Sequence, residues 1–202
     1  MPGAITHLKT AYYYNKEKSF GFDAGIYLGS ISPDSVNING HAPKAVRWPA
    51  HLRNSDLDAW TENAALFYKE NKGKTDEAFL RGYILHILTD IVWDRSFDKP
   101  MYRLLLGAEV PEDELKEERW NEIYGYEFLQ REEDWLKNDV LPKLATATVE
   151  SVSTLECEKV GIWRDQVVAL DLKCGKMPRF MDENMALELC KAVFELAERV
   201  FV

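Results

Sequence analysis

Histidines are few in this chain and they cluster in its first half: His7, His41, His51 and His86. The segment Gly82-Tyr83-Ile84-Leu85-His86-Ile87-Leu88-Thr89-Asp90 sets an imidazole and a carboxylate four residues apart, so on a helix both leave one face about one turn apart. Imidazole and carboxylate are ligands of borderline divalent metals, and two of them on one rigid element make half of a metal site. The alternative is that His86 and Asp90 bond to each other or to nearby backbone within the core. A carboxylate among Leu and Ile needs some partner, because burying it alone costs several kcal/mol.

More ligands precede this segment. Ser32-Pro33-Asp34 puts an acidic residue directly after a proline, and Ala50-His51-Leu52-Arg53 puts a histidine at a junction between loop and helix. Asp34, His51, His86 and Asp90 give two imidazoles and two carboxylates, a set suited to zinc, manganese or iron with one position left for water. His7 has two readings, a further ligand or a hydrogen-bond partner that orients a ligating carboxylate. His41 stands in a Gly- and Pro-rich stretch and reads as a solvated loop residue. Arg53, two positions beyond His51, is a candidate donor to a substrate phosphate, with an idle surface arginine as the alternative. Tyr83, one turn before His86, is a candidate substrate contact or a core tyrosine.

Other catalytic signatures are absent. No histidine is directly followed by aspartate, as a helical phosphohydrolase of the HD type requires, and no two histidines flank a glutamate as in zinc proteases. There is no glycine-rich phosphate loop and no Gly-x-Ser-x-Gly elbow. The acidic stretches 112–118 and 132–134 read as solvated helix faces, since the Asp and Gly spacing of an EF-hand is missing.

The elements that must position these residues read as helical. The hydrophobic share, 46% of 202 residues, supports a substantial core. Short helical stretches are expected over 5–16 and 24–28, followed by a long irregular loop region over 29–54, where Pro33, Pro43, Pro49 and Gly40 interrupt any long helix. Ser55 or Asp56 caps a helix to about Asn71, and Thr75 caps one over 76–97 whose apolar residues cover most of its circumference, the pattern of a helix buried among others. Further helices are expected from Pro111 onward, over 120–138, over 140–149 and over 184–201, while 151–176 carries no clear pattern. With few alternating β-branched runs, no repeat and no linker, residues 1–202 read as a single all-α domain, with the metal site built from residues 1–97. The apolar C-terminal helix serves either the core or a homodimer.

Asp plus Glu total 34 against 25 Lys plus Arg, a net charge of −9, so neither a nucleic-acid partner nor a membrane surface is expected. No apolar run reaches the roughly 20 residues of a membrane helix and residues 1–18 lack a signal-type apolar region, so a soluble cytoplasmic protein is expected. Cys157, Cys174 and Cys190, odd in number and widely spaced, read as buried or idle thiols.

In order along the chain, Thr6-His7-Leu8, then Leu28-Gly29-Ser30-Ile31-Ser32-Pro33-Asp34, then His51-Leu52-Arg53, then Gly82-Tyr83 with His86-x-x-x-Asp90, resembles the zinc-dependent phospholipase C superfamily over about the first 97 residues. The resemblance implies an all-α fold with metals held between helices and loops and activity on phosphate esters. By position it implies helix-borne ligands at His86 and Asp90, loop-borne ligands at His51 and Asp34, and an N-terminal helix ligand at His7, with Asp34 also able to orient the attacking water. Two features depart from the family pattern. The chain begins Met1-Pro2-Gly3 where the exported enzymes use a mature N-terminal tryptophan as ligand, and no histidine follows His86 to complete a three-metal cluster. The resemblance therefore points to a reduced, intracellular branch with one or two metals, zinc first among them, and to a small, soluble phosphate ester as substrate. Three readings compete: a metal-dependent hydrolase using metal-activated water, a helical interaction or regulatory protein with a structural metal, and a metal-free hydrogen-bonded core.

Overall fold

The computed structural model describes residues 2–18, 21 and 24–202, and these are all-α, with no strand among them. The first helices are α1 (Ala4–Lys18), α2 (Ala24–Ile31), α3 (Lys44–Ala50), α4 (Leu57–Asn71) and α5 (Glu77–Val92). After these come α6 (Asp98–Gly107), α7 (Leu115–Gln130), α8 (Leu141–Ala145), α9 (Cys157–Val168) and α10 (Glu183–Val200). One hydrophobic core takes residues from both halves, from Ile5 and Leu8 in α1 to Val193 and Val200 in α10. No helix among the described residues is long and apolar enough to cross a membrane.

The expected loop region is mostly helical, though in short pieces. Residues 29–54 contain the end of α2, a 3-10 turn over Ser32–Asn37 and α3. Pro33 falls in the first turn of the 3-10 segment, where its missing N–H has no partner to lose, and Pro43 directly precedes α3. Pro33 and Pro43 therefore punctuate helices here, and Pro49 lies inside α3, so the prolines do not prevent helix. Asp56 caps α4 by accepting from the N–H groups of Asp58 and Ala59. The cap of α5 is Asp76, one residue later than expected, through a bond from the Phe79 N–H. The helix expected over 76–97 is regular only to Val92 and closes in a π-turn over Trp93–Phe97. The patternless stretch 151–176 holds α9, and a buried carboxylate organises the segment after it: Glu122 accepts from the N–H groups of Arg179, Phe180 and Met181 at 2.8, 2.8 and 3.2 Å.

The crossing of α2 and α5 is a close backbone approach and is made by two glycines. A Cβ on Gly29 would lie 2.0 Å from the Phe79 carbonyl oxygen, and one on Gly82 would lie 2.1 Å from that of Ile26. Each helix thus presses its backbone against the other where only a hydrogen fits. As expected, α5 is the central element, with Phe79, Tyr83, Ile87, Asp90 and Ile91 all fully buried.

Candidate metal centre

Five predicted ligands converge. In two overlapping trios, His7 with Asp34 and His86, and His51 with His86 and Asp90, the ligand atoms lie within 4.8 Å of one another. The residues come from α1, the 3-10 turn, the end of α3 and α5. His86 follows from the glycine crossing, because the approach of α2 to α5 brings the Ser30 carbonyl 2.8 Å from His86 Nδ1. Nδ1 must donate there, so Nε2 keeps its lone pair. His51 is held the same way: Nδ1 donates to the Arg47 carbonyl at 2.9 Å, which frees Nε2. Its backbone is fixed twice more, since Trp60 Nε1 donates to the His51 carbonyl at 2.8 Å and the Tyr83 hydroxyl donates to the Ala50 carbonyl at 2.8 Å. Directly after it, Leu52 sits in the left-handed region at φ 50, a conformation that a non-glycine residue keeps only where its surroundings impose it.

The interior of the cluster is polar but unpaired. His51 Nε2, His86 Nε2, both nitrogens of His7 and both carboxylate oxygens of Asp90 are buried without a hydrogen-bond partner. Asp90 Oδ1 is 3.7 Å from His7 Nε2, and Oδ2 is 3.7 Å from His86 Nε2 and 3.9 Å from His51 Nε2. Asp34 Oδ1 is 3.4 Å from His51 Nε2. These gaps are too wide for hydrogen bonds, yet close to the roughly 3.3 Å that separates ligands around a tetrahedral ion with bonds of about 2.0 Å. A buried carboxylate and three imidazole nitrogens at this spacing can hold a metal ion. His86 limits how: with Nδ1 committed to Ser30, its single free nitrogen serves one ion.

The electrostatics fit the same arrangement. Burial, reinforced by the neighbouring His86, holds the His7 imidazole well below its usual range, and burial also lowers His86, to about 4. Both rings, stacked at 3.6 Å, are therefore neutral at physiological pH, the form that ligates metals. Burial pushes Asp90 up to about 7, and the nearby His51 offsets only part of that. Burial alone would lift Asp34 as well, but the His51 imidazole beside it outweighs that and holds it below the usual carboxylate range. In return Asp34 raises His51 against the opposing effect of burial. Asp34 is thus the ionised member of the cluster, and its side chain is 18% exposed where the other four are at most 1%. It marks the opening to solvent.

Neither predicted substrate contact is among the convergent ligand atoms. Tyr83 is fully buried, stacked on Phe67 at 5.3 Å, and its hydroxyl is shared between Ala50 and Thr154, so it positions the loop that carries His51. Arg53 binds Asp94 Oδ2 at 2.5 Å and packs its guanidinium over the Trp60 ring at 4.5 Å. His41 is exposed, and Cys157 and Cys174, both exposed, and the buried Cys190 are all free thiols. Sequence reasoning missed Glu127. This buried carboxylate of α7 accepts from the backbone N–H and hydroxyl of Thr6 at 2.9 and 2.8 Å and so anchors the start of α1, one residue before His7. Comparison with protein-family models, curated proteins and solved structures finds no match.

Proposed function

We propose that the chain is a metal-dependent hydrolase of a phosphate ester, a small, reduced relative of the zinc-dependent phospholipase C superfamily. The observation that carries this reading is the convergence of buried, unpartnered imidazole and carboxylate atoms on one point with an ionised carboxylate at its mouth. His51, His86 and Asp90 would hold the ion, with His7 or Asp34 completing its shell, and the donor set suits zinc first, then manganese or iron. A bound ion of this kind supplies a water of lowered pKa and an electrophile for a phosphoryl oxygen. The chain's own residues do the rest. Ser30 and Arg47 carbonyls fix the tautomers of His86 and His51, so each presents a lone pair inward. Asp34, held ionised and reaching solvent, accepts a hydrogen bond from an incoming water and orients it. Tyr83 and Trp60 keep the His51 loop from shifting under that load.

One observation favours a second reading, a structural ion in a closed site: apart from Asp34, the cluster is at most 1% exposed. Two measurements on the same preparation separate the readings. Metal content per chain is read by plasma mass spectrometry after purification without chelator, and turnover is read with p-nitrophenyl phosphate and its bis ester. Bound metal with turnover supports the hydrolase. Bound metal without turnover of either ester supports the structural ion, and a chain that cannot be loaded with zinc, manganese or iron sinks both.

A further inference from the structure

Several basic side chains act on the loop beside the opening, although the chain as a whole carries −9. The charges of Arg47, Lys116 and Lys173, residues distant in sequence, act on the His41 ring together with the carboxylate of Asp34, the most exposed member of the cluster. Lys173 lies over the Tyr124 ring of α7 at 5.8 Å, and Glu118 of the same helix is already neutralised by Lys176 and Arg179.

Arg47 stands apart within this group. It precedes His51, the residue that caps α3, by four residues, so the two lie about one turn apart at that end of the helix. Its carbonyl accepts from both the backbone N–H and the Nδ1 of His51, at 3.1 and 2.9 Å, which ties its Cα rigidly to a ligand. Its Nε is buried without a hydrogen-bond partner. A buried Nε–H with no acceptor is costly, and an arriving anion relieves that cost. Arg53, the arginine nearer His51 in sequence, is already matched to Asp94.

We propose that Arg47 is the phosphoryl anchor of the site, a specificity-determining residue that binds a phosphate dianion beside the metal, with Lys116 and Lys173 as an outer rim that draws the anion in. The assignment rests on the hydrolase reading and narrows its substrate class toward monoesters, whose terminal phosphate presents the dianion that a planar, bidentate guanidinium matches.

The test titrates inorganic phosphate into the zinc-loaded full chain by calorimetry, comparing wild type with Arg47→Met, Arg47→Lys and Arg53→Met, with metal content measured on every sample. Arg47→Met should weaken phosphate binding about tenfold to a hundredfold at unchanged metal content, Arg47→Lys should recover part of it, and Arg53→Met should leave it within about twofold. A second arm replaces phosphate with phosphatidylcholine vesicles containing phosphatidic acid. Arg47-dependent binding there assigns a lipid-borne phosphoryl group and its absence a soluble one, and either result agrees with the anchor if the first arm holds. Metal-replete Arg47→Met that binds phosphate like wild type overturns the anchor and leaves the hydrolase reading standing. A wild type without metal overturns both.

Discussion

His7 and Lys9 leave α1 two residues apart, hence toward nearly opposite sides of the helix, and each ends in a buried polar cluster. Around Lys9 every group is matched. Its ammonium donates to the Tyr126 hydroxyl and to Gln130 Oε1, both at 2.7 Å, and to the Glu183 carboxylate, with the rings of Tyr126 and Trp135 over it at 5.3 and 5.5 Å. Around His7 the inward-facing nitrogens of three histidines and both oxygens of Asp90 converge without hydrogen-bond partners. The same helix thus shows both that this chain can satisfy buried charge by itself and that it has not done so in the other cluster. Unpaired groups on three histidines and an aspartate at one point fit a site that can hold a cation better than they fit poor packing.

The largest way to break the contrast is to remove the proposed ion's central carboxylate. Asp90→Ala should take metal content from about one equivalent per chain to none and abolish the metal-dependent rise in thermal stability, about 2.7 kcal/mol when free metal is a hundredfold above its dissociation constant. Unchanged metal content in this variant would show that Asp90 is no ligand. Next comes the crossing that sets His86. Gly82→Ala drives a methyl into the Ile26 carbonyl and should cost about 3 kcal/mol by denaturant unfolding, with weaker metal binding because the Ser30 carbonyl is displaced. Wild-type stability there would mean that the helices separate freely.

On the matched side, Lys9→Met removes the ammonium that donates to Tyr126 and Gln130, which keep only Glu183 and Trp135 as partners, and should cost about 2 kcal/mol. Glu183 is 47% exposed and regains water, which keeps the loss below that of a fully buried pair. Metal content should stay at the wild-type level, and a fall would merge the two clusters into one unit. The smallest effect concerns Glu127, which burial pushes up to about 7 against the hydrogen bonds from Thr6. Its folded value lies above its ordinary 4.5, so the stability it contributes is complete below that value and is lost as pH rises through about 7. Glu127→Gln keeps the acceptor oxygen without the charge, so melting temperatures of the metal-loaded variant should decline less than wild type between about pH 5 and 8. Parallel profiles would show that Glu127 is not the titrating group.

Much of this was legible in local pattern. The cap of α4 at Asp56, the all-round burial of α5 and the shared face of His86 and Asp90 follow from short-range rules of helix geometry. The helical character of 29–54 was not legible, because prolines mark the first turns of short helices as readily as they mark loops. That misreading hid Arg47: once α3 is known to be a helix, the spacing from Arg47 to His51 is as informative as that from His86 to Asp90.

By itself, then, the sequence determined an all-helical chain and a ligand pair on one helix, since a period of 3.6 residues is a local property. Tertiary structure decided which further residues join that pair, that Tyr83 supports the His51 loop, and that Arg47 rather than Arg53 is left with an unmatched donor. Those outcomes depend on contacts between residues far apart in the chain, the Gly29 and Gly82 crossing above all, and no pattern within a single window encodes them.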